Sequence, residues 1–147
     1  MEQPTWVIEK VDPIKKRKLL SSMHKACFPE YPMIEPIGDW WLVKADSRPA
    51  AFCVLWQSIK IDHAGYLARA GVLEKYRGHG LQKRMIRLRE REARRRHWKV
   101  LVSDSNRGNV ASGNSLISCG YRMWNPPVAW GNENSIYWRR ELIEGAP

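Results

Sequence analysis

Val72-Leu73-Glu74-Lys75-Tyr76-Arg77-Gly78-His79-Gly80-Leu81 decides how this chain reads. The segment leading in, Tyr66 to Leu73, predicts a strand, with Gly71 as a place for a bulge. The segment leading out, Leu81 to about Arg96, has helical spacing. Between them Arg77-Gly78-His79-Gly80 is a tight turn. A strand, a glycine turn and a helix in that order make an anion site. The first N–H groups of a helix lack intrahelical partners, and the helix dipole favours negative charge there. Glycine lets the backbone approach a phosphate closely. No Gly-Lys-Ser/Thr follows, so the turn is not a Walker loop, and no third glycine completes a dinucleotide fingerprint.

The rest of the chain reads outward from that turn. Trp6 to Lys10 predicts a strand. Asp12 is a helix N-cap with Pro13 in the first turn, and Ile14, Leu19, Leu20, Met23 and Cys27 form the apolar stripe. Pro29, Pro32 and Pro36 make Pro29 to Gly38 a loop or a short broken helix. Trp40 to Lys44 and Ala50 to Trp56 form a hairpin over Asp46-Ser47-Arg48-Pro49. Val100-Leu101-Val102 is a buried strand, and Asn109 to Ser118 a short helix closed by Gly120. Tyr121 to Trp124 and Ile136 to Arg139 are the last strands, around a loop from Asn125 to Ser135. This order predicts an α/β (mixed α+β) fold in one domain over residues 1–147. Its centre is a mostly antiparallel twisted sheet of about six to seven strands, flanked by about three to four helices.

The quoted stretch resembles the acetyl-CoA signature of the GCN5-related N-acetyltransferases (GNAT), Gln/Arg-x-x-Gly-x-Gly/Ala. Arg77 and Gly80 fit it, and Gln82 stands where Gly or Ala is expected. Asn109, Ser112, Gly120 and Tyr121 are spaced like the family's later Asn-x-x-Ala/Ser-x-x-x-Tyr-x-x-x-Gly-Phe/Tyr segment. Leu116 departs from it, where many members carry Tyr. The resemblance covers nearly the whole chain. It implies acetyl transfer from acetyl-CoA (coenzyme A) to a primary amine, by direct attack in a ternary complex. The amides of Arg77, Gly78, His79, Gly80, Leu81 and Gln82 would cradle the CoA pyrophosphate. The strand end at Val72 and Leu73 would bond the pantetheine arm and orient the thioester carbonyl. Asn109 would meet the pantetheine from the other side, and Lys83 or Arg84 the 3′-phosphate. A homodimer is a further expectation from the resemblance.

Amine acetylation needs placement, a donor for the developing oxyanion, a sink for the amine proton and an acid for the leaving thiolate. Leu116 cannot be that acid, so Ser115 beside it and Tyr121 are the candidates. Glu30 and Glu35 lie in the loop expected to face the acceptor, and Glu35 is the leading base. Asp62, His63 and Asp104 are further carboxylate and imidazole candidates. The acceptor is expected between the Pro29–Gly38 and Asn125–Ser135 loops. Trp40, Trp124, Trp130 and Trp138 are expected to line it. Arg69 either meets an acidic group of the acceptor or forms a structural ion pair. His79 faces solvent or a phosphate, and His24 reads as structural.

Composition bounds the partners. The chain has 147 residues, with 25 Lys+Arg against 15 Asp+Glu, a net charge of +10. That balance favours anionic partners. From Lys75 to Lys99 there are 11 basic residues. They give the expected helix a basic outer face of Lys83, Arg84, Arg87, Arg91, Arg94 and Arg95, opposite Leu81, Met85, Ile86, Leu88 and Ala93. Such a face is a solvated surface or a footprint for a polyanion. The alternative to an enzyme is thus a catalytically weak module of the same fold, binding nucleic acid or an acidic protein. Three cysteines without CxxC spacing predict neither a disulfide framework nor a cysteine zinc site. No His/Asp/Glu cluster has metal-ligand spacing, and no apolar run reaches the roughly 20 residues of a membrane span. A cytoplasmic location is the expectation.

Overall fold

The structure, a computed structural model, describes residues 3–142. In chain order its elements are β1 (Trp6–Val11), α1 (Arg17–Cys27), β2 (Asp39–Ala45), β3 (Arg48–Gln57) and β4 (Ala64–Val72). A 3-10 turn, Glu74–Tyr76, leads to α2 (Leu81–Arg95), β5 (Val100–Asn106), α3 (Val110–Ser118), β6 (Arg122–Met123) and β7 (Ser135–Glu141). The strands form one mixed seven-stranded sheet in the order β1-β2-β3-β4-β5-β7-β6. β1–β2, β2–β3, β5–β7 and β6–β7 pair antiparallel, and β4–β5 pair parallel.

Contacts divide the chain into two compact units. The first takes the described residues up to Leu55 together with Ala68–Met85, and the second takes Trp56–Leu67 together with the residues from Ile86 onward. In the first unit, Asp46 and Ser47 both hold positive φ, 47° and 68°, which is the two-residue turn that suits a right-twisted hairpin. The turn is therefore tighter than the four residues the sequence predicts. Trp40, Leu42, Phe52 and Val54 from this hairpin are buried with Leu20 and Met23 of α1. Gly71 is explained by space. A Cβ there would lie 2.8 Å from Cys27 Sγ and 2.9 Å from the Phe52 ring, so only glycine lets α1 pack this closely.

The start of α1 departs from expectation. Asp12 Oδ1 accepts from the Ile14 and Lys15 amides at 2.9 and 3.4 Å. It caps a turn over residues 13–16, and the regular helix begins only at Arg17. Residues 29–38 form turns and coil, without a helix.

In the second unit the parallel register runs from Ala64↔Val100 to Tyr66↔Val102 and ends there, although β5 continues to Asn106. β7 pairs along all of β5, from Val100↔Glu141 to Asn106↔Ser135. α3 has the expected glycine stop, and Asn109, expected as its first residue, is its N-cap. Asn109 Oδ1 accepts from the Ser112 amide at 3.1 Å. Gly120 (φ 92°) closes the helix, with Tyr121 N–H reaching Leu116 O at 2.9 Å in a Schellman pattern. β6 shrinks to two residues, Arg122–Met123.

The basic helix is not purely amphipathic. Leu81, Met85, Ile86 and Ala93 are buried as predicted, but so are Arg89 and Glu90. The Glu90 carboxylate accepts from Arg87 at 3.1 Å and from Arg140 of β7 at 2.8 Å. Glu92 pairs with Arg95 at 2.6 Å and Arg96 at 3.2 Å. Part of the charge run is thus internal structure, and Lys83, Arg84, Arg91 and Arg95 stay exposed.

Candidate functional site

All the residues expected to hold a pyrophosphate and pantetheine, except Asn109, fall in the first unit as one continuous stretch, Val72 to Lys83. Gly78 and Gly80 take φ of 84° and 75°, which L side chains rarely adopt. A Cβ on either would meet no heavy atom within 4 Å, so this backbone is open on its outer side. The first ladder bond of α2 runs from the Arg84 amide to Gly80 O at 3.2 Å. The amides of Leu81, Gln82 and Lys83 precede it and have no earlier helical carbonyl to bond. A glycine turn with open space above it and three leading amides fits an anionic diphosphate. His79 is exposed and tilted on Trp6 at 5.5 Å, and Trp6 in turn meets the Tyr76 ring at 6.1 Å. These contacts brace the turn from the side.

The strand end is more constrained than the sequence implies. Leu73 N–H already donates to Ala50 O of β3 at 2.9 Å. It is committed to the sheet, which corrects the expectation that it serves a thioester. Within a strand, the N–H and C=O of one residue point to the same side. Val72 therefore turns both groups to the edge away from β3. Its carbonyl accepts from Arg77 Nε at 3.2 Å, and Ala70 O accepts from Gln82 Nε2 at 3.5 Å. Arg77 and Gln82 cover that edge with their side chains, a role motif spacing alone does not reveal.

Arg69 also lies in the first unit. Its Nη1 is 2.6 Å from His24 Nε2 and 3.5 Å from Pro32 O, and its guanidinium lies 5.1 Å from the Phe28 ring centre and 5.2 Å from that of Tyr31. Its partner is a histidine among aromatic rings, where the sequence left open an acidic group of the acceptor or a structural ion pair. Arg69 thereby ties the Pro-rich loop to β4. Burial lowers the His24 pKa, and the nearby Arg69 charge lowers it further. Trp40 is fully buried at 0%, with Nε1 donating to Ile37 O at 2.7 Å and the ring stacked near Phe52. It is core, with no surface left to line an acceptor. Glu35 is exposed. Burial raises the Cys27 thiol pKa, opposed in part by Arg77.

In the second unit, Tyr121 is 3% exposed and its hydroxyl has no partner among the described residues. Burial, reinforced by the Glu90 charge, pushes its pKa far above the usual phenol value. It packs as a core aromatic that holds its proton. Leu116 is buried and Ser115 half-buried. Asn109 spends its side-chain oxygen on the helix cap, which leaves the amide NH2 as the end able to donate to a ligand. Trp138 is buried, with Nε1 donating to Ser105 Oγ at 2.8 Å. Trp124 and Trp130 do come together, ring centres 6.2 Å apart. Tyr66, Trp56 and Tyr137 join them, and Tyr66 OH donates to Asp104 Oδ1. The sequence flagged Trp124, Trp130 and Asp104. It missed the other three, whose only signal was a large aromatic on a strand. Among the described residues no three His, Cys, Asp or Glu side chains group to hold a metal, and no helix is long and apolar enough to cross a membrane.

A model of the acetyltransferase (GNAT) family matches residues 12–115. This chain belongs to that family. The glycine turn and the Asn109 cap fall inside the matched region, which ends within α3. Solved structures agree on the fold. The ribosomal-protein-S18-alanine N-acetyltransferase from Escherichia coli is 14% identical with a TM-score of 0.77, over 97% of this chain and 99% of that one. An acetyltransferase from Bacillus subtilis, in complex with CoA, is 12% identical with a TM-score of 0.78, over 95% and 100%. A Salmonella typhimurium protein solved with its cofactor acetyl-CoA is 14% identical with a TM-score of 0.74, over 97% and 96%. A comparison with curated proteins finds no significant match.

Proposed function

We propose that this GNAT protein acts as one acetyltransferase-like domain over residues 1–147 and transfers an acetyl group from acetyl-CoA to a primary amine. The observation that carries the cofactor is the turn itself. Two glycines at positive φ leave the backbone open on its outer side, next to the leading amides of α2. A CoA diphosphate suits those amides, and the exposed Lys83 and Arg84 suit its 3′-phosphate. Family membership supports the same ligand, and two of the fold relatives carry acetyl-CoA or CoA.

Acetyl-CoA supplies an activated acyl group as a thioester. In the transfer the amine nitrogen forms a C–N bond, the C–S bond breaks, CoA leaves as thiolate and the amine proton passes to a base. Val72 N–H, on the strand edge away from β3, is the backbone donor proposed for the carbonyl oxygen. Among the carboxylates, half-buried Asp104, oriented by Tyr66, suits proton transfer better than exposed Glu35. Ser115, adjacent in sequence to Leu116 at the family's Tyr position, is proposed to protonate the thiolate. A CoA thiolate is a tolerable leaving group, so turnover does not depend strictly on it.

The test is the melting temperature with acetyl-CoA, with adenosine diphosphate as the control, followed by thiol release with an amine panel. Ligand at about 100 times its Kd adds about 2.7 kcal/mol of stability. A shift specific to acetyl-CoA, with thiol release on adding amine, is expected. No shift would overturn the cofactor assignment.

A further inference from the structure

Five half-buried aromatic side chains in the second unit converge beside one carboxylate. Tyr66 lies 6.1 Å from Trp56 and 6.1 Å from Trp130 between ring centres. Trp130 meets Tyr137 edge-on at 4.8 Å and Trp124 at 6.2 Å. Asp104 is the cross-strand neighbour of Tyr137 and accepts the Tyr66 hydroxyl. Tyr66, Trp124 and Trp130 pack over Ala64, Val100 and Val102, so strands β4 and β5 form the floor.

A second observation points to a ligand. The Trp130 Nε1 is buried and has no hydrogen-bond partner among the described residues. The indole N–H groups of Trp40 and Trp138 are both satisfied inside the protein. A buried donor without a partner is costly, so it asks for an oxygen from outside. Ring faces and a carboxylate together attract an ammonium group. The cluster already takes one cation, since the Arg139 guanidinium lies 5.3 Å from the Trp124 ring centre. Arg139 also meets Glu141 at 3.6 Å. An acceptor carrying its own carboxylate would therefore set that charge beside Asp104, with the nearby basic group already engaged.

We propose that this cluster recognises a primary amine on a flat apolar body, an arylalkylamine whose ring bears an oxygen. The ammonium pairs with Asp104, the ring lies on the exposed parts of half-buried Trp56, Tyr66 and Trp130, and the Trp130 indole turns to give its N–H to the ring oxygen. The assignment rests on the acetyltransferase reading only for the acetylation of that amine. Binding stands apart from it.

The experiment follows indole N–H signals of 15N-labelled protein, without acetyl-CoA, during titration with tyramine and, separately, phenylalanine. The Trp130 signal is assigned by its loss in Trp130→Phe. Tyramine is expected to shift that signal to saturation, with phenylalanine about tenfold weaker or more. Asp104→Asn, which keeps an oxygen for Tyr66, is expected to weaken tyramine about tenfold. Equal or tighter binding of phenylalanine would overturn the proposal, as would unchanged affinity in folded Asp104→Asn. The two readings can fail separately. Tyramine binding without thiol release on adding acetyl-CoA upholds the site and sinks the transferase. Thiol release with other amines, and no shift with tyramine, does the reverse.

Discussion

Gly80 holds φ at 75° with open space where a Cβ would point, so its substitution separates two effects. Gly80→Ala is expected to lose about 1–2 kcal/mol of stability from the left-handed backbone alone. Its methyl also enters the space proposed for the diphosphate, so acetyl-CoA affinity should fall while the protein stays folded. Thermal denaturation and calorimetric titration of the same variant check both halves. His24 makes a different prediction. It is 1% exposed, and arginine has no lone pair, so Nε2 accepts from Arg69 and the ring is neutral. Burial and then Arg69 lower its pKa below the usual 6.5. The unfolded chain binds that proton more readily, so stability from this pair is fully present above the unfolded value. It is lost as pH falls through the lowered folded value. Urea midpoints should therefore hold above the unperturbed histidine pKa of about 6.5 and drop as pH falls below it. His24→Gln, which still offers Arg69 an oxygen, should flatten that drop.

The helix α2 shows which parts of an element a sequence reveals. Its extent, its glycine entry and its apolar side follow from local rules and agree with the structure within one residue at the C-terminal end. The burial of Glu90 does not follow from them, because its partner Arg140 sits 50 residues away on β7. No helical periodicity carries that information. Removing Glu90 takes its carboxylate from Arg140, so Glu90→Ala is expected to cost about 3 kcal/mol in urea unfolding. The Arg140 bond to Cys119 O at 2.8 Å remains. Glu90→Leu combined with Arg140→Met should recover most of the loss, since the buried pair is then replaced by apolar packing. The candidate site divides the same way. The glycine turn and the Gly120 helix stop are local patterns and were legible, whereas the capping role of Asn109 was not assigned. The Tyr66–Asp104 contact joins two strands 38 residues apart and was not. Trp40 and Trp124 looked alike in sequence. One is core and the other half-buried, because burial is decided by what packs over each strand.

At the scale of the molecule, the mixed fold and mostly antiparallel sheet were readable, but the strand order was not. Placing β7 between β5 and β6 depends on pairings that no local pattern encodes. Net charge, by contrast, needs no fold at all. It is +10, and CoA is a polyanion, so their attraction acts at long range as well as through contacts. Added salt shortens that range from about 10 Å at 0.1 M to about 3 Å at 1 M. Acetyl-CoA affinity should fall about tenfold, or about 1.4 kcal/mol, as salt rises from low to near-molar concentration. Calorimetric titrations across that range measure the slope. If exposed Lys83 and Arg84 meet the 3′-phosphate, Lys83→Gln and Arg84→Gln together should flatten the slope for acetyl-CoA. The same pair should leave the slope for the dephospho form nearly unchanged. Equal flattening for both ligands would move these two side chains to the diphosphate.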